Sequence, residues 1–108
     1  MSLGNKVRDL RKKAGLTLEQ LAAQAEASKS YVWDLENNRL PKPSADKLAK
    51  IANALGVTTE YLSGADKAMS DEEALQDAQD SAFFRKYRNL DDETKAKIRD
   101  ILDIVGKT

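Results

Sequence analysis

Between Gly15 and Leu40 the chain reads GLTLEQLAAQAEASKSYVWDLENNRL, and this run restricts the fold more than any other segment. Thr17 opens a T-x-x-Q capping box, in which its hydroxyl covers a free backbone N–H while Gln20 reaches back. Leu18, Leu21, Ala22 and Ala25 then fall on one helical face. Ser28 is placed to cap the next helix, with Val32 and Leu35 at core spacing and the polar Asn37-Asn38-Arg39 as its stop. Only Glu26 and Ala27 separate the two segments. Two short helices with so little chain between them must meet at a sharp corner, a helix-turn-helix over about residues 17–36.

The flanking sequence extends the same pattern. Leu3, Val7 and Leu10 mark a first helix that stops at Ala14-Gly15, after Lys12 and Lys13, which suit a negative helix C-terminus. Pro41 and Pro43 hold the chain extended. Ser44 caps a fourth helix with an apolar stripe of Leu48, Ile51, Ala52 and Leu55, ended by Gly56. Thr58 starts a short fifth helix through Tyr61 and Leu62. Strand-like alternation is missing, so the expected class is all-α, with a five-helix domain over residues 3–64.

Composition narrows the chemistry. The 108 residues, 41% of them hydrophobic, suffice for one compact domain with an appendage, and no apolar run approaches a membrane span. With no cysteine and no histidine, thiol nucleophiles, disulfides and the commonest general base and metal ligand are missing. No catalytic residue, metal site or cofactor is expected, and a carboxylate-based nuclease is disfavoured because Asp and Glu form no compact set at ligand spacing. No signal-peptide pattern opens the sequence, so a cytoplasmic address is expected. The net charge of zero conceals sorting: through Gly64 there are 10 Lys+Arg against 7 Asp+Glu, and from Ala65 onward 8 against 11. The first part is suited to approach phosphate, and the second is not.

Residues 65–70 read as a linker, and residues 71–108 as a C-terminal helical pair. The pair begins with an S-D-E-E capping box at Ser70 and continues through Leu75, Ala78, Ala82, Phe83 and Tyr87. After Asp91, the residues Ile98, Ile101, Leu102 and Val105 form an aliphatic stripe ended by Gly106, too strong to leave in water. It is expected to pair with a second copy of the chain; the alternative is packing back on the first domain.

On the third helix Val32 and Leu35 point inward, which turns Ser30, Trp33, Asp34 and Asn37 outward, with Lys29 and Tyr31 on the flanks. Lys29 can donate to guanine O6 and N7 and Ser30 to several base edges, while Asp34 can only accept, favouring a cytosine N4 donor. Trp33 can meet a thymine methyl or lie along the sugar backbone; the competing role is packing against the fourth helix or a neighbour. Asp34 has a competing role as a surface charge in an ion pair. Arg11 and Glu36 lie on the inner margins of their helices and form a candidate scaffold pair, since an Arg fork meets a carboxylate bidentately.

Taken together, Arg11, Gly15-Leu16-Thr17, Leu21-Ala22, Ser28, Val32, Leu35-Glu36, Pro43, Leu48 and Ala54-Leu55-Gly56-Val57 resemble the Cro and phage-repressor, or XRE-like, family of DNA-binding domains. The resemblance covers about Leu3 to Gly64. It implies a five-helix lambda-repressor-like domain that binds double-stranded operator DNA as a homodimer, the third helix lying in the major groove. By position, Ser28, Lys29, Ser30, Trp33 and Asp34 match the family's base-facing residues, and Thr17, Asn37, Arg39 and Lys42 match groups that hold phosphates. The chain departs from the family at three points. Leu18 stands where the second helix usually starts with Gln, so that side chain's phosphate clamp is lost. Glu26 replaces the usual turn Gly and must accept a left-handed conformation or a different corner. Asn38 replaces a second frequent Gly and tolerates that conformation better.

The function these features imply is a dimeric, sequence-specific transcriptional repressor acting on a pseudo-palindromic operator, with room for a regulatory protein partner. Prophage immunity, restriction-modification control, an antitoxin role and removal by a metallopeptidase are all compatible settings. The competing class is a protein-interaction module or antitoxin-like adaptor on the same fold, favoured by Leu18, Glu26 and Asp34 and opposed by Lys29, Arg39 and Lys42.

Overall fold

A computed structural model describes residues 2–64 and 71–106, so the expected linker and the Ser70 cap lie outside the described residues. The helices are α1 (Leu3–Lys13), α2 (Leu18–Gln24), α3 (Lys29–Glu36), α4 (Ala45–Leu55), α5 (Thr59–Ser63), α6 (Asp71–Arg88) and α7 (Asp92–Gly106), with no strand among the described residues.

Hydroxyl caps start the first five. Thr17, Ser28, Ser44 and Thr58 each accept a hydrogen bond from the backbone N–H three residues on, and at Thr17 the reciprocal bond to Gln20 completes the capping box. Ser2, to which the sequence assigns no role, does the same for α1. Asp91 caps α7: its Oδ1 accepts the Thr94 N–H at 2.7 Å, and the Thr94 side chain, together with this N–H, holds the Asp91 carboxyl below the usual carboxylate range.

One motif ends the first four helices. After α1 the N–H of Leu16 reaches the Arg11 carbonyl while that of Gly15 reaches Lys12; Ala27 and Glu26 repeat this after α2, Arg39 and Asn38 after α3, and Val57 and Gly56 after α4. These are Schellman closures, which need one left-handed residue each. Gly15 and Gly56 supply it without strain, but Glu26 (φ 55°) and Asn38 (φ 58°) supply it as residues with a Cβ. The helix-turn-helix corner therefore keeps its geometry and accepts left-handed strain at Glu26. Helix α4 braces it: Lys47 Nζ donates to the Glu26 carbonyl at 3.3 Å, and Lys50 Nζ lies 3.2 Å from the Glu26 carboxylate.

Val7, Leu21, Val32 and Ile51 are fully buried at the centre of the five-helix core, with Leu10, Leu35, Leu48, Leu55, Val57 and Leu62 around them. Leu18, expected to turn inward, lies at the core margin. Gly4 is buried where α1 crosses the end of α3, and a Cβ there would run into the carbonyl oxygens of Leu35 and Glu36. The two C-terminal helices do not behave as one unit. Helix α6 packs on α5 and buries Ala74 and Ala78, the latter as part of the first domain's core, with Arg85 3.8 Å from Glu60. Helix α7 buries none of its residues.

The strain at the corner is measurable. Glu26→Gly removes a left-handed L-residue at the cost of a solvent-screened ion pair, so urea denaturation should show a gain of roughly 1 kcal/mol. A loss of stability would show that the lysine brace outweighs the backbone strain.

Candidate nucleic-acid interface

The presenting surface is built from α3 outward, and its placement depends on Glu36. This carboxylate retains 2% of its side-chain exposure and faces two arginines of α1. Arg11 meets it bidentately, Nε to Oε2 at 2.7 Å and Nη2 to Oε1 at 3.0 Å, and the bonded carboxylate raises the Arg11 guanidinium above its ordinary pKa. Arg11 Nη1 also holds the Leu16 carbonyl at 3.0 Å, so one side chain ties α1, α3 and the start of the corner together. Arg8, which the sequence reading missed, lies 3.6 Å from Glu36 and donates through Nη2 to the Glu36 carbonyl and to Asn37 Oδ1.

With α3 fixed, its outer face carries the residues singled out from sequence. Lys29 and Ser30 are exposed in the first turn, and Ser28 is exposed beside them. The Ser28 Oγ accepts the Tyr31 N–H at 3.0 Å as the helix cap, which leaves its O–H free to donate. Lys29 Nζ lies 3.3 Å from Glu19 on α2, and both side chains are mostly in water, so this pair is weak and readily exchanged. Asp34 is partly exposed and has no ion-pair partner among the described residues. Trp33 keeps 40% of its surface exposed. The Arg39 guanidinium lies over its ring, 4.9 Å from the centroid.

The four phosphate candidates are placed differently from one another. Arg39 and Lys42 are exposed beyond the end of α3. Thr17 is exposed at the start of α2, its hydroxyl oxygen accepting the Gln20 N–H at 3.1 Å. Asn37 is already engaged within the fold: its Nδ2 donates to the Trp33 carbonyl at 2.8 Å and its Oδ1 accepts from Arg8. Ile98, Ile101, Leu102 and Val105 lie far along the chain on α7, where Ile101, Leu102 and Val105 are about 60% exposed and Ile104, absent from the expected stripe, is 68% exposed.

A family model described as "Helix-turn-helix domain" matches residues 2–62. The chain belongs to the XRE-like helix-turn-helix family of transcriptional regulators. It is 35% identical over 74 residues to the immunity repressor of Bacillus phage phi105, an alignment spanning 68% of this chain and 51% of that protein. To the transcriptional regulator ImmR of Bacillus subtilis it is 27% identical over 114 residues, covering 94% of this chain and 89% of ImmR. Among solved structures, SinR in complex with DNA, the master regulator for biofilm formation, aligns over 56% of this chain and 95% of that one, with TM-score 0.54 and 33% identity. A SinR–SinI complex aligns over 98% of this chain and 99% of that one at 20% identity and TM-score 0.55, a likeness of fold. The family's five-helix domain is thus the domain described above. Among the described residues no helix is long and apolar enough to cross a membrane.

The clamp on Glu36 predicts a large penalty for its removal. Glu36→Ala leaves two arginines facing a buried gap, and equilibrium denaturation should show a loss of about 3–5 kcal/mol. A loss under about 1 kcal/mol would mean that packing alone sets α3.

Proposed function

We propose that this chain is a repressor that binds a pseudo-palindromic operator as a homodimer, reading bases with the first turns of α3. The observation that carries this reading is the outer face of α3. Lys29 and Ser30 stand exposed on a helix whose inner edge is locked by the Arg11–Glu36 fork. In this assignment Lys29 and Ser30 read base edges, with Ser28 and Asp34 at the margins of the same face. Arg39, Lys42 and Thr17 approach phosphate, and the engaged carboxamide of Asn37 serves mainly to fasten the helix end.

The dimer rests on α7. Ile101, Leu102 and Ile104 expose more aliphatic surface than a short soluble helix sustains alone. Each such side chain contributes about 1.5–3 kcal/mol when buried, enough in number to support association. Two copies joined there would carry two α3 helices to successive major-groove faces about 34 Å apart. A second reading, in which α7 also takes an unlike helical protein that displaces the second copy, is favoured by the same exposed face. In both readings the protein works in the cytoplasm without a cofactor and does no chemistry on the DNA.

Random-pool selection with the full chain should return a two-fold symmetric site, and the affinity for it should fall with salt at a logarithmic slope of about −0.9 per neutralised phosphate. Selection of no sequence, or an affinity indifferent to salt, contradicts DNA reading. Leu102→Asp should give a folded monomer in sedimentation that binds the full site far more weakly; a variant as dimeric as the parent removes α7 from the dimer.

A further inference from the structure

Trp33 and Arg39 are six residues apart, a separation that places no two side chains together on a helix. They meet because of how α3 ends. With Asn38 left-handed, the Asn38 N–H returns to the Leu35 carbonyl at 3.2 Å and the Arg39 N–H to the Asp34 carbonyl at 2.9 Å. This closure folds the second residue past the helix back over the last turn, where an apolar side chain commonly packs. In this chain a guanidinium takes that place, 4.9 Å from the indole centroid. The turn beneath is held from two sides, since Asn37 Nδ2 bonds the Trp33 carbonyl at 2.8 Å while Arg8 holds Asn37 Oδ1 at 3.1 Å. No carboxylate pairs with Arg39 among the described residues.

We propose that Trp33 is a positioning residue for Arg39, a ring platform that aims the guanidinium at a DNA phosphate, and is not a reader of base edges. A cation lying over a π face keeps its N–H donors free, and these suit the paired oxygens of a phosphate. Stacking also restricts a long side chain before DNA arrives, so less freedom is lost in forming the contact. The inference rests on the DNA-binding reading above and moves Trp33 from the base-reading set to the phosphate-holding one.

The test is a double-mutant cycle on the full chain, with the selected operator and with the random pool. Trp33→Leu should weaken binding about two- to five-fold, the size of a lost exposed cation–π contact, and should do so equally for all sequences. Trp33→Phe, which keeps a ring face, should recover most of that loss. Arg39→Gln should reduce the salt slope by about 0.9, and adding Trp33→Leu to it should cost less than two-fold more. Thermal melts by circular dichroism confirm that each variant folds. If Trp33→Leu does not fold, Trp33→Gln, which also removes the ring, takes its place in the cycle with Arg39→Gln: coupled losses support the platform and additive losses overturn it. A change of base preference at one position in Trp33→Leu, persisting when Arg39 is already Gln, overturns the proposal and restores Trp33 as a reader. Failure of the parent chain to select any sequence is a different outcome, which overturns DNA binding itself.

Discussion

A carboxylate with almost no water contact has to be satisfied by the protein, and Glu36 is satisfied by α1. Arg11 forks onto it and Arg8 approaches from the side while also holding the backbone and side chain at the end of α3. Such a pair contributes little net stability compared with an apolar substitute, but breaking it is costly, so it fixes one arrangement against others. Gly4 adds to this by letting the α1 backbone touch the last turn of α3, where a Cβ would collide with two carbonyl oxygens. The orientation of α3, and with it every side chain on its outer face, follows from that crossing.

The ends of the helices perform the second part of the work. Schellman closures set the directions in which α1, α2, α3 and α4 hand the chain on. At the corner between α2 and α3 the closure is held despite Glu26, with two lysines of α4 on its carbonyl and carboxylate. At the end of α3 it brings Arg39 onto Trp33. A device that usually serves stability thus shapes the exposed surface at the end of α3.

Most of the first domain is legible in the sequence because its signals are local. Thr17, Ser28, Ser44 and Thr58 announce helix starts through the geometry of a single turn, and Gly15 and Gly56 announce ends by their tolerance of positive φ. Other features depend on contacts between elements distant in the chain. Arg8 and Gly4 gain their meaning only once α1 lies across α3. Lys6, whose Nζ reaches the Tyr61 carbonyl at 2.9 Å, joins α1 to α5 in the same way. Helix α6 docks through Ala78 and Leu75, which its spacing marks, and through Ala74, which it does not; the spacing shows the apolar face and leaves open that the first domain covers it. The stripe on α7 is visible from its spacing, and its exposure is not, because periodicity reports which face is apolar and not what covers it.

On the proposed function, the outer face of α3, fixed by Glu36, is the surface that meets DNA. An NMR titration of the labelled full chain with its selected operator tests it most directly. The largest shift changes are expected at the amides of Ser28 to Asp34, at Arg39 and at the single indole N–H of Trp33, with little change along α5 and α6. Changes concentrated on α6 and α7, with α3 unmoved, would contradict it.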